Sequence, residues 1–240
     1  MADANSVSMS DLSHSIRLRL NNHAWALVIL VIVEVLTNFL SGNLTVGQLT
    51  LNDQVIPRWQ LYNIWRSLIV LCLVAGVILW GMNHVRRLRA AIFLINGLFT
   101  VQLFVAAVLI VVRLLQNTKV TVTALIVDAL VIFVTNVLIF ALWYWYIDSS
   151  QTRSLESTID RQWDFLFPQR QASWPGYADW QPGFWDYVFL AYTTSVAFSP
   201  TDTLPLSRAG KLLMMTQSII ALIAIVVVAG TAINILAGGA

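Results

Sequence analysis

Two carboxylates, Glu34 and Asp128, lie inside long apolar runs of the sequence. Ionisable side chains are rare in such runs and need partners there. Arg66 and Arg113 lie at matching depths in the neighbouring apolar runs. Such groups can relay protons or couple an ion to transport, or they can hold neighbouring helices together as ion pairs. Because each acid has a basic partner at a matching depth, the sequence favours two structural ion pairs, Glu34–Arg66 and Arg113–Asp128.

A hydroxyl-rich stretch near the C-terminus, T-T-S-V-A-F-S, is a second candidate site. It follows an apolar segment, residues 185–192, that is too short to span a membrane. A turn-forming sequence, S-P-T-D-T-L-P, and a long apolar segment come next. This order is typical of a re-entrant loop, whose irregular backbone is tolerated at membrane depth only inside protein or beside a water-filled cavity. The candidate site residues of this stretch are Thr193, Thr194, Ser195, Val196, Ala197, Phe198, Ser199 and Asp202.

Enzymatic and metal chemistry find little support in the sequence. The three histidines, His14, His23 and His84, are scattered without metal-ligand spacing. The single cysteine, Cys72, lies in an apolar run and allows no internal disulfide. The sequence contains no nucleophile motif and no phosphate-binding loop. We therefore expect no catalytic residue, no metal, no cofactor and no enzyme activity.

Composition places these residues in a membrane protein. Of the 240 residues, 58% are hydrophobic and only 11% are charged, whereas about a quarter of a soluble domain is charged. The apolar residues also occur in long blocks, which excludes a soluble enzyme with one core and a disordered chain. The net charge of +2 is too small and too scattered for a nucleic-acid-binding protein.

Five apolar stretches are long enough to span a bilayer, which takes about 20 residues per helix. They cover residues 24–40, 65–82, 90–115, 122–147 and 212–236. Because open backbone groups cannot be satisfied in hydrocarbon, the spans must be helices, and all six prolines fall between them. The predicted fold is an all-α integral membrane protein with five transmembrane helices and a re-entrant helix and loop before the last span. Its predicted parts are a polar lead-in (1–23), a three-span bundle (24–115) and a C-terminal module (121–240).

The connection at residues 148–183 is long, acidic and rich in tryptophan. Leu155, Ile159, Trp163 and Leu166 recur in it at near-helical spacing. This pattern predicts a short amphipathic helix lying at the membrane surface, where tryptophan is also common.

Basic residues near span ends favour the cytoplasm. On one side of the predicted topology lie Arg17, Arg19, Arg86, Arg87, Arg89, Arg153, Arg161, Arg170, Arg208 and Lys211. On the other side lie Arg58, Arg66, Arg113 and Lys119. This distribution predicts a cytoplasmic N-terminus and places the 148–183 connection on the cytoplasmic side. Arg153, Arg161, Arg170, Arg208 and Lys211 could instead belong to a pore mouth. The two sides then hold five and four basic residues, which is too small a difference to assign the orientation.

The C-terminal module resembles the pore module of the tetrameric potassium channels. In that family an outer helix, a turret, a pore helix, a filter reading T-T-V-G-Y-G-D and an inner helix follow one another. The matching parts here are residues 122–147, 148–183, 185–195, the filter-like stretch and 212–236. Thr194 to Ser199 match the filter position by position, and Pro205, Gly210 and Lys211 match a Pro and a Gly-Arg pair beyond it. The stretch is also similar to the C-terminal part of uncharacterised bacterial multi-span membrane proteins.

The sequence departs from that family at the filter itself. Ala197 and Ser199 replace both glycines, and a left-handed backbone costs such residues about 1–2 kcal/mol each. Pro200 favours extended geometry in the residue before it, and Phe198 lacks the hydroxyl of the family's tyrosine. These departures predict a pore loop whose geometry differs from the potassium filter. Asp202 is then either part of a carboxylate ring that attracts cations or a residue of the turn. The family also keeps its filter mouth outside the cell, which conflicts with the charge distribution.

Three functional hypotheses follow. The resemblance implies a homotetrameric channel of the plasma membrane (the inner membrane in bacteria), with the lipid bilayer as its surroundings and a monovalent cation as the permeant species. A non-conducting scaffold or partner subunit that keeps the pore-loop layout is the alternative, and the lost glycines favour it. A proton-coupled transporter would instead use Glu34 and Asp128. No nucleic-acid partner is expected.

Overall fold

The computed structural model describes residues 23–38, 40, 48–51, 54–115, 122–148, 163–171, 176–177, 180–199 and 202–236. These residues form a helical bundle with two small antiparallel strand pairs. The helices are α1 (His23–Asn38), α2 (Arg58–Gly81), α3 (Val85–Leu115), α4 (Val122–Ile147), α5 (Pro168–Gln171), α6 (Phe184–Ala197) and α7 (Arg208–Leu236). The strands are β1 (Gln48–Leu51), β2 (Gln54–Pro57), β3 (Phe165–Leu166) and β4 (Leu204–Pro205).

Four helices of the described chain, α2, α3, α4 and α7, are long and apolar enough to cross a membrane. This confirms an all-α membrane protein and four of the five predicted spans. The first predicted span appears as α1, which is apolar but shorter. Helix α4 is the most buried of the spanning helices, and α2 is the least buried. The core therefore forms around α4, while α2 presents most of its surface outward.

The helices α1 to α4 alternate in direction. A Cβ at Gly76 of α2 would lie 3.1 Å from Leu27 of α1 and 3.7 Å from Ile95 of α3. His23 at the start of α1 lies 2.8 Å from the Tyr146 hydroxyl near the end of α4.

The start of α7 lies at the end of the bundle that contains Asp148. The Leu206 amide, just before α7, donates to the Asp164 carbonyl oxygen (2.9 Å), and the Asp164 amide donates to Asp148 Oδ1 (3.4 Å). The start of α1, the α2–α3 turn, the end of α4 and the start of α7 therefore share one end of the bundle, here called the Asp148 end.

The connection before α6 differs from the sequence-based prediction. Leu166 lies in strand β3, which pairs with β4 in the register Phe165↔Pro205 and Leu166↔Leu204. The amphipathic helix predicted over Leu155, Ile159, Trp163 and Leu166 is therefore wrong at its C-terminal end, and residues 151–162 lie outside the described residues. The physical reason is the alternation in F-L-F, because Phe165 and Phe167 are buried while Leu166 between them is only half-buried. This period of two fits a strand rather than a helix.

The β1–β2 hairpin between α1 and α2 was not predicted from the sequence. Its register runs from Gln48↔Pro57 to Leu51↔Gln54. The stretch Q-L-T-L and the stretch Q-V-I-P each offer only four residues, too few for a clear pattern in the sequence.

Candidate functional site

Helix α6 is a half-length helix that packs between α4 and α7. Its buried face consists of Tyr187, Leu190, Ala191, Thr194 and Ser195. At its start the Gly183 amide donates a 2.6 Å hydrogen bond to Asp186 Oδ2, which satisfies one of the open amides of the first turn. The opposite face leaves Trp185, Phe189, Tyr192 and Val196 exposed.

Four buried side chains link α6 to α4 and α7, and we call them the amide cluster (Asn136, Tyr144, Ser195 and Gln217). Gln217 of α7 donates from Nε2 to the Ala191 carbonyl oxygen (2.7 Å) and to Ser195 Oγ (2.9 Å). Its Oε1 accepts a hydrogen bond from the Tyr144 hydroxyl of α4. Asn136 Nδ2 donates to Ser195 Oγ (3.3 Å) and to the Gln217 carbonyl oxygen (3.2 Å). All four residues are completely buried.

The amide cluster lies deep in the bundle. Asn136 lies about 16 Å along α4 from its end at Ile147, taking a rise of about 1.5 Å per residue. Gln217 lies about 14 Å along α7 from its start at Arg208. A hydrocarbon layer is about 30 Å thick, so the cluster and the C-terminal turn of α6 lie near the middle of the spanning helices.

The filter-like residues occupy the last turn of α6 and its cap. The resemblance implied a pore helix over residues 185–195 and non-helical filter backbone after it, but the helix continues through Ala197. Alanine favours a helix, and the hydroxyls of Thr193, Thr194 and Ser195 each donate to a carbonyl of the preceding turn. Ser195 is also held by the amide cluster. The potassium-type arrangement of extended carbonyls is therefore not formed by residues 193–197.

Phe198 ends α6 in the left-handed region, with φ 55°. Ser199 and Asp202 follow in bends and are exposed, while residues 200–201 lie outside the described chain. Phe198 lies between Ala197 and Ser199, the two residues that replace the glycines of the potassium filter. The Phe198 side chain is 41% exposed, so replacing it should disturb little packing within the chain.

We predict that Phe198→Gly is more stable than Phe198→Ala by about 1 kcal/mol. Both changes remove the ring, but only alanine retains the cost of a left-handed backbone, about 1–2 kcal/mol. Unfolding of the two variants in a titration with sodium dodecyl sulfate would measure the difference. Equal stabilities would contradict a left-handed conformation at this position.

A second polar cluster lies at the Asp148 end and consists of Asp148, Arg170 and Tyr187. Asp148 Oδ2 accepts hydrogen bonds from the Tyr187 hydroxyl (2.6 Å) and from Arg170 Nη1 (3.3 Å). Arg170 Nη1 also donates to the Phe165 carbonyl oxygen (2.9 Å), and its guanidinium lies 3.7 Å from the centre of the Trp163 ring. Both charged side chains are buried. This cluster holds the segment 163–171 to α4 and α6.

The residues predicted to form ion pairs lie in separate places. Arg66 Nε lies 3.3 Å from Glu34 Oε1, so the structure brings this predicted pair together. Arg66 is half-exposed, whereas Glu34 is almost buried. Asp128 is buried within α4. Arg113 belongs to α3, but its side chain and hence the Arg113–Asp128 pair lie outside the described residues.

Two further intramembrane amides, Asn96 and Gln102, join neighbouring helices. Asn96 of α3 donates to the Ile139 carbonyl oxygen of α4 (3.2 Å), and Gln102 of α3 accepts from Trp65 Nε1 of α2 (3.3 Å). Asn38 instead donates to the Glu34 carbonyl oxygen of its own helix (2.9 Å).

Sequence reasoning did not assign Gln217, Tyr144 or the Asp148 cluster to a site. Gln217 is an isolated amide within a long apolar helix, and a polar residue in such a position predicts a hydrogen-bonding partner on another helix. The partners of these residues lie far away in the chain, so no local pattern connects them. Within the described residues, no group of three or more His, Cys, Asp or Glu side chains is placed to hold a metal ion.

Comparisons with protein-family models, with curated proteins and with solved structures find no match to this chain.

Proposed function

We propose that this protein is an ion-channel-like membrane protein in which α4, α6 and α7 build a cation pore within a homotetramer. The observation that carries the proposal is the half-length α6, which ends at the depth of Asn136 and Gln217. Tyr187 near its start contacts Asp148, and the chain after it returns to the same end as β4. A helix that enters to mid-depth and a chain that returns to the same end are the parts of a re-entrant loop.

The electrostatic potential at the C-terminus of α6 supports a role in stabilising cations. The last carbonyls of a helix have no partner within the helix, and they carry the negative end of its dipole. In α6 these carbonyls belong to residues 194–197, the filter-like residues. Helix C-termini at mid-membrane stabilise cations in several transport proteins. We therefore expect selection of cations over anions, with weak discrimination between potassium and sodium because extended carbonyl rings are missing.

The environment of this helix end supports the proposal of an oligomer. Val196, Ala197 and Phe198 are exposed in the single chain. Open backbone groups facing lipid tails would cost several kcal/mol each, so protein or water must enclose them. Further copies of the chain around a water-filled axis provide both, and four copies are the number that the potassium-channel resemblance implies.

A non-conducting scaffold or partner subunit is the second candidate. Two observations favour it, the helical backbone at Ala197 and the internal satisfaction of Ser195 and of the Gln217 amide. In this case α6 fixes the packing of α4 against α7 and no ion passes.

Ion flux in proteoliposomes distinguishes the two candidates, with potassium, sodium and chloride gradients compared. For a pore we expect cation flux without chloride flux, and Phe198→Trp should abolish it because the larger ring fills the space beyond α6. Leu71→Trp is the matched control, since Leu71 is an exposed residue of α2, outside the α4–α6–α7 unit. Absence of flux from a folded tetramer would favour the scaffold, and a monomer in lipid nanodiscs would contradict the tetrameric pore.

A further inference from the structure

Three arginines, Arg86, Arg87 and Arg89, crowd the start of α3. The helix begins at Val85, directly after the turn that joins it to α2, and its first turn contains no acidic residue. At about 100° per residue the three arginines cover one arc of the helix, and Leu88 lies opposite them. Leu88 is completely buried, whereas Arg86 and Arg87 are exposed. Arg89 is half-buried at the edge of this arc, with its guanidinium carbon 5.9 Å from the centre of the Phe93 ring.

No carboxylate of the described chain lies within 4.0 Å of these three arginines. The ion pairs among described residues are Glu34–Arg66 and Asp148–Arg170, and neither involves this turn. The positive end of the α3 dipole adds to the three charges. Three positive charges within one helical turn repel one another, and a bound anion would relieve that repulsion.

The surroundings show that this positive turn lies at the edge of apolar surface. Trp80 and Met82, just before α3, are 42% and 58% exposed. Leu94, little more than one turn after Arg89, is 58% exposed. Tryptophan favours the headgroup level of a bilayer, and exposed leucine on a spanning helix faces the lipid tails. We therefore expect the guanidinium groups to lie at the depth of the lipid phosphates, next to this apolar surface.

We propose that Arg86, Arg87 and Arg89 bind the headgroup of an anionic phospholipid. Guanidinium forks match phosphate oxygens in a bidentate geometry, and clusters of arginine beside a spanning helix attract anionic lipid. A free phosphate offers the same oxygens but no acyl chain for the exposed surface of Trp80 and Leu94. This surface favours the lipid.

The test uses quenching of tryptophan fluorescence by brominated lipids, in vesicles that contain the full-length protein. Brominated phosphatidylglycerol and brominated phosphatidylcholine are compared, which gives their relative association constants. We expect a preference for phosphatidylglycerol of about five-fold or more, which high salt should reduce. Millimolar inorganic phosphate should leave the preference unchanged, because the site binds the lipid as a whole.

The variant Arg86→Gln/Arg87→Gln/Arg89→Gln should lose the preference, and the corresponding triple lysine variant should keep part of it. The matched control is Arg208→Gln/Lys211→Gln, which removes exposed basic residues at the same end of the bundle. Equal affinities of the wild-type protein for the two lipids would overturn the proposal. Retention of the preference in the glutamine variant, or an equal loss in the control, would overturn it as well. If the glutamine variant fails to fold, the single variants Arg86→Gln and Arg87→Gln should each give a partial loss.

Discussion

Replacing Gln217 by leucine is expected to lower the free energy of unfolding by about 2–4 kcal/mol. The change removes three hydrogen bonds, to Ser195, to the Ala191 carbonyl and from the Tyr144 hydroxyl. Interhelical hydrogen bonds in membranes contribute about 0.6 kcal/mol each on average. The buried Tyr144 hydroxyl also loses its acceptor, and an unsatisfied buried group costs about 1–3 kcal/mol.

Thr216→Val is the matched control, because Thr216 lies beside Gln217 on α7 but donates only to the Leu212 carbonyl of its own helix. We expect a change below about 0.5 kcal/mol for this variant. Unfolding in sodium dodecyl sulfate gives both free energies, and hydrogen exchange along α6 provides a second measurement. Gln217→Leu should increase exchange in α6 more than in α2. Equal effects of the two variants would show that the amide cluster does not hold α6.

Both proposed functions depend on a fixed α6, so this variant does not decide between them. In a pore the amide cluster keeps the last carbonyls of α6, those of residues 194–197, at mid-depth. In a scaffold the same bonds keep α4 and α7 at a fixed spacing. The flux measurement with Phe198→Trp separates the two, because Phe198 lies beyond the cluster and makes no part of it.

The helices could be predicted from the sequence because apolar runs leave no alternative in a membrane. Residues 122–147 were predicted as a span and form α4 with the same bounds. Helices α2, α3 and α7 begin four to seven residues earlier than predicted. Their first turns are polar or basic and extend beyond the hydrocarbon, so hydropathy alone does not include them.

The details of the connection before α7 could not be predicted. The strand pair β3–β4 joins two dipeptides that lie far apart in the chain, and such contacts leave no local pattern. The match to a potassium filter implied non-helical backbone where α6 continues. The sequence already contained the reason for the difference, since Ala197 replaces a glycine and Thr194 and Ser195 can bond to the preceding turn.

Asp148→Ala is expected to cost about 3–5 kcal/mol, the largest effect of a single substitution that we predict. Asp148 is the buried counter-ion of Arg170, and it also accepts from the Tyr187 hydroxyl at 2.6 Å. Its removal leaves a buried guanidinium without its counter-ion, in contact with the Phe165 carbonyl and near the rings of Trp163 and Phe167. The segment that carries Arg170 should then detach from α4 and α6.

A double-mutant cycle with Arg170→Met tests whether the cost comes from the charge left without a partner. Removing both charges leaves no buried ion in this cluster, so Asp148→Ala/Arg170→Met should be less destabilised than Asp148→Ala alone. Arg208→Gln is the control, since Arg208 is exposed at the same end, and it should change stability by less than about 0.5 kcal/mol. Additive costs in the double variant would instead assign the effect of Asp148 to its bond with Tyr187. Tyr187→Phe would then reproduce most of the loss, whereas a coupled ion pair predicts a smaller cost of about 1 kcal/mol for that change.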